Sequence, residues 1–355
     1  MIKVSFVIPV WNGEKEVEAV MQSIFAQAYQ NWEVVFINDG STDQTAEKLE
    51  KLQASDRRIQ VIHTPNQGQG LARNIGITAA NGDYIWFVDV DDLLLPNALQ
   101  CMVDLAMQGN YDVICGTYIR NIKEKQILVN HKLEEGILNR FGSEDEIRRY
   151  HYFKTLSGFG YLWNKLYKVQ FLKENFLEFN DIKQIFMEDQ LFNLKVIACN
   201  PVFYITAIPV YHYFIHENST THKLDEDAIQ KNTKLIHTYY AWLQDTMKLD
   251  ENIDLLAGLA MRVLSWSLIR NMKYKIIPFH QIKHQIQYFV DDEAVQAVIN
   301  HTNSIESFSF IRSKVQAVGF SVLLLLLRNK QNTVVASLFY VFSPFLRFYA
   351  NLVVK

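Results

Sequence analysis

The sequence predicts an α/β protein: a mostly parallel central sheet with helices on both faces, followed by a C-terminal helical region. Three observations predict it. Strand and helix patterns alternate at short intervals over residues 1–116, as a parallel sheet wrapped by helices requires. The apolar run Trp86-Phe87-Val88 ends abruptly in Asp89-Val90-Asp91-Asp92. Unpaired carboxylates are too costly inside a sheet, so the chain leaves it there. From about Leu224 onward the pattern is helical, with no strong strand signal.

Lys3–Pro9 reads as the first strand, with Val4, Phe6, Val7 and Ile8 apolar. Glu14–Ala28 follows as a helix carrying Val17, Val20, Met21, Ile24 and Phe25 near one face. Trp32–Ile37 is the second strand and ends in Asn38-Asp39-Gly40. Ser41 or Thr42 is positioned to cap the next helix, Asp43–Gln53. Ile59–His63 is a third strand, Gly68–Ala80 a helix, and Asn81-Gly82-Asp83 its stop. Tyr84–Val88 is the fourth strand and delivers the acids. Pro96 opens a helix to about Met107, and Tyr111–Gly116 is the fifth strand. Beyond it, Gly158–Lys168 is rich in aromatics and Leu191–Cys199 is amphipathic. Val202–Ile205 and Val210–Phe214 read as two short strands. The polar stretch His216-Glu217-Asn218-Ser219-Thr220-Thr221 marks a soft boundary between residues 1–220 and 221–355.

With 355 residues, 49% hydrophobic and 21% charged, the chain has room for one large domain and a smaller one. The net charge is −3. From Leu255 to Lys355 eleven bases face four acids, so this part carries +7 and the first 254 residues carry −10. An acidic front and a basic, apolar tail suggest different surroundings for the two. No nucleic-acid partner is expected. Cys101, Cys115 and Cys199 have neither metal-ligand nor redox spacing, and read as reduced thiols in the cytosol. Ile2–Val10 lacks the basic flank and cleavage site of a signal peptide. Ala317–Leu327 is too short to span a bilayer. Val334–Val354 is long enough but contains Pro344 and Arg347. There Ser337, Tyr340, Pro344, Arg347 and Asn351 form a narrow polar stripe. Such a helix suits a membrane interface, or a bundle with the stripe outward.

Loops that follow the strands of a parallel sheet share one edge, where ligands bind. Trp11-Asn12-Gly13, Asn38-Asp39-Gly40-Ser41 and Asp89-Val90-Asp91-Asp92 therefore build one site. The first of these loops has no G-x-G-x-x-G and no G-x-x-x-x-G-K-[ST], which argues against a dinucleotide-binding or P-loop domain. Asp89 and Asp91 share a direction if extended geometry persists. Two convergent carboxylates suit a hard divalent cation that also holds a phosphate. A solvated acidic turn fits the same residues. Asp39 can accept from an imide N–H such as that of uracil, or close a local turn. Gly68 and Gly70 allow close backbone approach. Arg73 can reach a base edge, or pair with Asp39, Asp89 or another acid. Glu188-Asp189 open a helix, where acids are favoured in any case; Asp189 also has the chemistry of a general base. His212, flanked by aromatics, is a third metal ligand, a diphosphate donor or a packed core histidine.

Taken in order, several motifs resemble the inverting family-2 glycosyltransferases of the Rossmann-like GT-A fold, of the bacterial polysaccharide-biosynthesis type. They are Val4-Ser5-Phe6-Val7-Ile8-Pro9-Val10-Trp11-Asn12, Asn38-Asp39-Gly40-Ser41-Thr42-Asp43, Asn66-Gln67-Gly68 with Ala72-Arg73-Asn74-Ile75-Gly76, Asp89-Val90-Asp91-Asp92 and Glu188-Asp189. The match runs from residue 1 to about 200, and weakly to 221 through Tyr211-His212-Tyr213. The resemblance implies transfer of a sugar from a nucleotide-diphosphate donor, a UDP-sugar, to a hydroxyl of a glycan or polyprenyl-diphosphate-linked acceptor. Pro9, Val10, Trp11, Asn12, Asp39, Arg73, Asp89, Val90 and Asp91 would hold the nucleotide sugar. Asp91, with Asp89 and His212, would bind Mn2+ or Mg2+, and Asp92 would orient the donor sugar or the metal's water. Asp189 would be the catalytic base with Glu188 beside it, and Trp163, Asn164 and Lys165 would shape the acceptor side. The implied place is cytoplasmic, peripheral on the inner face of the cell membrane, with an anionic surface as partner. Trp11 stands where the family usually has Tyr, and Val90 where a small residue is common. A catalytically silent nucleotide-sugar-binding scaffold of the same fold is the alternative. A processive synthase would need a Q-x-x-R-W motif and several spans. A nucleotidyltransferase would need a Gly-rich basic loop after the first strand.

Overall fold

The computed structural model describes residues 1–122, 125–130, 135–137, 160–181, 187–215, 226–302, 308 and 314–347. Contacts divide the chain into two units. The first comprises residues 1–147, 155–183 and 187–217, and the second residues 148–154, 184–186 and 218–355.

In the first unit, β1 (Val4–Val10), β2 (Trp32–Asp39), β3 (Ile59–Thr64) and β4 (Tyr84–Phe87) pair in parallel. Helices α1 (Val17–Phe25), α2 (Thr45–Ser55) and α3 (Gln69–Ala79) connect them. The period of two along β1 decides which layer each side chain joins. Val4, Phe6, Ile8 and Val10 pack in one core with Val17, Val20, Met21 and Ile24 of α1 and Leu49 of α2. Val7 serves the opposite face, against Gly76 of α3. Burying each such side chain contributes roughly 1.5–3 kcal/mol. A slip of one residue would turn the whole set to the wrong face.

The chain leaves the sheet after Phe87 and turns, with the Asp92 N–H donating to the Asp89 carbonyl at 3.2 Å. It returns as the short β5 (Leu93–Leu94), and α4 (Ala98–Gln108) completes the core around α1. β6 (Val113–Ile122) runs well past Gly116, with β7 (Lys125–Val129) against it. β8 (Gly136–Ile137) is a short edge piece. β9 (Lys165–Lys168) inserts between β4 and β6, antiparallel to both. Helices α5 (Val169–Glu174) and α6 (Glu188–Ala198) lead to β10 (Phe203–Phe214). The sheet order is β3-β2-β1-β4-β9-β6-β10-β5, with β7 on β6 and β8 on β10. Strands β1 to β4, β6 and β10 point one way, so the sheet is mixed but mainly parallel.

Two local expectations are corrected. The pair of strands at Val202–Ile205 and Val210–Phe214 is a single strand, β10, whose register shifts on both sides of Pro209. Proline has no N–H for the ladder, so the irregularity falls there. The cap of α2 comes from neither Ser41 nor Thr42. Asp43 accepts from the Thr45 N–H at 3.0 Å and the Thr45 hydroxyl at 2.5 Å, while Ser41 accepts from Asn12.

The second unit is helical throughout its described residues: α7 (Ala228–Asp245), α8 (Leu249–Tyr274), α9 (Phe279–Asp291), α10 (Glu293–His301), α11 (Lys314–Arg328) and α12 (Asn332–Val341). Asn232 of α7 donates to Ser267 of α8 at 2.7 Å, which satisfies both polar groups inside the bundle. Asp292 caps α10, accepting from Ala294 and Val295, and Arg328 of α11 donates to the Ile299 carbonyl at its other end. Leu249–Met272 is long and apolar enough to cross a membrane, but 67% of it is buried in the protein, as in a core helix. The boundary residues His216 to Thr221, and Asn351 of the polar stripe, lie outside the described residues.

Two glycines make opposite predictions. A Cβ at Gly76 would sit 2.2 Å from a Val7 methyl, whereas at Gly319 of α11 nothing lies within 4 Å. Gly76→Ala should lower stability in urea unfolding by about 1–3 kcal/mol. Gly319→Ala should raise it by about 0.5–1 kcal/mol, through helix propensity alone.

Candidate active site

The first two post-strand loops are stitched to each other. Asn12, in left-handed backbone at φ 52°, donates its N–H to Ser41 at 3.0 Å and accepts from the Thr42 N–H at 2.8 Å. The Gly13 N–H donates to the Thr45 hydroxyl at 2.9 Å. Asn38, rather than Asp39, closes the local turn, accepting from the Ser41 N–H. Asp39 is buried and reaches the third loop, accepting from the Gln67 N–H at 2.9 Å and the Gly68 N–H at 2.8 Å. The Thr64 hydroxyl also donates to it at 3.3 Å, and a carboxylate has about four lone-pair sites, so one more donor can still be accepted. Gly40, at φ +71°, turns the chain there; a Cβ would meet the Asn66 nitrogen at 2.6 Å.

The centre is Arg73, almost fully buried. Its Nη2 meets Asp89 Oδ1 at 2.9 Å and its Nη1 meets Glu188 Oε1 at 3.1 Å. Asp89 follows β4, whereas Glu188 opens α6, 115 residues beyond Arg73. Gln69, one turn before Arg73, donates to the same Glu188 oxygen at 2.6 Å. Gly70 makes the approach feasible, since a Cβ would lie 2.5 Å from the Asn180 carbonyl and 3.1 Å from Glu188 Cγ. Asp189 is adjacent and partly accessible, and its Oδ1 accepts the Gln190 N–H at 2.7 Å. Burial first, then the Glu188 charge, pushes the Asp189 carboxyl up to about 7, against the pull of the Gln190 N–H and Arg73. Desolvation here outweighs the preference of a helix start for an ionised acid.

Because the chain turns after Asp89, the strand alternation expected to align Asp89 with Asp91 does not persist. Asp89 faces Arg73, Asp91 is exposed and Asp92 goes inside. Asp92 Oδ1 accepts the Phe214 N–H at 2.9 Å, while its Oδ2 has no partner in hydrogen-bond geometry. Burial, then Asp89 and Asp91, raises its carboxyl well above the usual range. The Tyr211 hydroxyl lies close enough to oppose that rise and accepts the Asp89 N–H at 3.0 Å.

The expected metal set is not gathered. His212 Nε2 bonds Asn121 Oδ1 at 2.9 Å, and burial lowers its pKa. Asp89 is engaged by Arg73, and among the described residues no three His, Cys, Asp or Glu side chains are grouped to hold an ion. The residues that would suit a hard cation are exposed Asp91 and its neighbour Asp92, one of whose oxygens accepts no hydrogen bond of good geometry.

Other expected residues lie deeper than anticipated. Val10 is core, and Val90 packs partly buried against it. Pro9 sits within β1, whereas Trp11 is 59% exposed. Trp163, Asn164 and Lys165 are all buried. Trp163 stacks on Tyr161 and Tyr211, both at 4.6 Å, and on Tyr213 at 5.2 Å. Asn164 donates to the Gly116 carbonyl at 3.0 Å. Lys165 donates to the Tyr161 carbonyl and to Asn164, and burial lowers its pKa to about 8. These three form the core under Tyr161 rather than a surface. Sequence reasoning missed Gln69, Tyr161, Asn193, Tyr211 and Tyr213. Asn193 of α6 donates to the Asp189 carbonyl at 3.1 Å and the Gly160 carbonyl at 3.0 Å, which anchors the turn that carries Asp189. Gln69 left a signal, four residues before Arg73 and so on the same helix face, and Tyr211 and Tyr213 left one as the aromatics that flank His212.

Removing Arg73 leaves Glu188 buried without its cation. Arg73→Leu should destabilise the protein by about 3–5 kcal/mol in urea unfolding. Arg73→Lys should recover only part of this, because one ammonium cannot match a fork that serves two carboxylates.

Residues 5–176 match the family described as glycosyl transferase family 2. EpsH of Bacillus subtilis, provisionally named a glycosyltransferase, is 31% identical over 255 residues, covering 70% of this chain and 71% of that protein. EpsJ of the same organism, a glycosyltransferase by name, is 34% identical over 195 residues, covering 54% and 55%. Among solved structures, S. aureus TarS 1–349 in complex with UDP is similar at a TM-score of 0.65, with 21% identity, covering 96% of this chain and 91% of that one. TarS 1–349 in complex with UDP-GlcNAc is similar at 0.62, with 20% identity and coverage of 93% and 92%. The fold is GT-A followed by a helical region, and the chain belongs to glycosyl transferase family 2.

Proposed function

We propose that this glycosyltransferase moves a hexosyl or N-acetylhexosaminyl group, with inversion, from a UDP-sugar to a hydroxyl of a glycan or polyprenyl-diphosphate-linked glycan. The product would belong to cell-surface polysaccharide, and the protein would work in the cytoplasm, peripheral on the inner face of the membrane. The observation that carries this reading is the Asp89–Arg73–Glu188 junction, which sets the acids after β4 and the Asp189 turn around one guanidinium. TarS, similar in fold, binds UDP and UDP-GlcNAc, which supports a uridine donor.

The chemistry follows from charge. A sugar hydroxyl is far too weak an acid to attack unaided, so a base must take its proton. Asp189, with its carboxyl near 7 and solvent access, is suited to this. Glu188 is tied to Gln69 and Arg73 and serves as a positioning residue. Asp39 has room to accept the uracil imide N–H, with Pro9, Trp11 and Asn12 along the same edge. Asp91 and Asp92 would hold Mn2+ or Mg2+, whose charge, when bound, offsets that of the departing diphosphate. Asp89, set by Arg73, would face the ribose or the sugar.

Thermal stabilisation by UDP-glucose, UDP-galactose, UDP-GlcNAc and UDP-GalNAc, with and without Mn2+, tests the donor. At least one should stabilise the protein, and Asp91→Ala should lose the metal-dependent part. Asp189→Asn should lower transfer by roughly 10²–10⁴-fold while UDP still binds. Transfer should rise with pH and level off above about 7 as Asp189 ionises. Because its carboxyl is raised in the folded state, Asp189 adds stability below about pH 4 that is lost as pH climbs through 7. Asp189→Asn should therefore be more stable than wild type at pH 8, by on the order of 1–3 kcal/mol, with the gap closing toward pH 4. A gap between variant and wild type no wider at pH 8 than at pH 4 would count against the raised carboxyl.

A further inference from the structure

Helix α11 turns apolar side chains outward at helical spacing. Val315 is 84% exposed and Val318 63%, and Val322 and Leu325 continue the same face while Phe320, Leu323, Leu324 and Leu327 are buried. The next helix repeats the pattern. Val335 and Ala336 of α12 are buried, whereas Val334, Leu338, Val341 at 68%, Phe342 and, just beyond the helix, Phe345 at 65% are exposed. A bundle helix showing only its polar stripe would not look like this: exposed Tyr340, Pro344 and Arg347 stand among exposed apolar residues. Apolar surface on this scale marks an interaction site.

Charge identifies the partner. From Ser307 to Lys355 the sequence has no Asp or Glu, but contains Arg312, Lys314, Arg328, Lys330, Arg347 and Lys355. Lys314 and Lys330 bracket α11 and are exposed, as is Arg347. A symmetric contact between two copies would bring like charges together. An anionic bilayer instead takes apolar side chains into its headgroup boundary and pairs the cations with its lipids.

We infer that the outward faces of α11 and α12 form a docking surface for an anionic lipid bilayer. The helices lie in the interface: α11 has 15 residues and α12 has 10, short of a span. The inference gives a surface to the peripheral association proposed above, and stands or falls apart from the donor reading.

Flotation of the full chain with vesicles of phosphatidylcholine alone, or mixed with phosphatidylglycerol, tests it. Wild type should float with the anionic vesicles, far less with neutral ones, and less again in high salt. The double substitution Val318→Asp/Val322→Asp, and separately Lys314→Glu/Lys330→Glu, should each lower the bound-to-free ratio about tenfold or more. Unchanged UDP stabilisation in both variants separates lost docking from lost folding. Val318→Lys/Val322→Lys, which adds charge but removes the apolar face, should also release the protein. Wild type that stays down with anionic vesicles would overturn the inference. So would variants that float as well as wild type, or light scattering that shows a dimer broken by Val318→Asp/Val322→Asp.

Discussion

One guanidinium in a dry place governs the arrangement of this site. Arg73 cannot lose its charge, and burying a charge is tolerable only with partners in good geometry. It finds them at the end of β4 and the start of α6, with Gln69 completing the set around Glu188. Moving either carboxylate away would leave the cation stranded. The loop after β4 and the turn that carries Asp189 are thereby held together, though they lie far apart in the sequence. Its Nε remains without a partner, a cost the fold accepts for this bridge.

The surrounding loops obey the same logic. Backbone N–H groups at a sheet edge need acceptors, and the acids and hydroxyls of neighbouring loops supply them. Asn12 and Ser41 join the first two loops, Asp39 joins the second to the third, and Asp92 joins the acidic turn to β10. Each such tie is worth about 0.5–1.5 kcal/mol, more where charged. Their larger effect is to fix loop positions before any ligand arrives, which lowers the ordering cost of binding. The aromatic stack around Trp163 adds a rigid floor beneath Tyr161.

Much of this was legible in the residues. The alternation Val4, Phe6, Ile8, Val10 and the acids after Phe87 announced the sheet and the edge where it ends. The ordered motifs singled out the acids at that edge, and Arg73 was already a candidate partner for Asp89. What stayed hidden depended on pairing at a distance. Nothing in Lys165–Lys168 says that it inserts antiparallel between β4 and β6. Nothing in Trp163-Asn164-Lys165 says that these side chains turn inward. Whether Asp39 served a ligand, its own turn or another loop depended on where residues 67 and 68 came to lie. The raised carboxyl of Asp189 stayed hidden for an energetic reason: a helix start favours its charge, but burial beside Glu188 opposes it more strongly.

A crystal structure of the full chain with a UDP-sugar and Mn2+ addresses the central point most directly. The account predicts Arg73 still bridging Asp89 and Glu188, the diphosphate beside Asp91 and Asp92, and the anomeric carbon open to Asp189 on its far side. A donor bound with Asp189 walled off from its sugar, or with Arg73 released from both carboxylates, would contradict it.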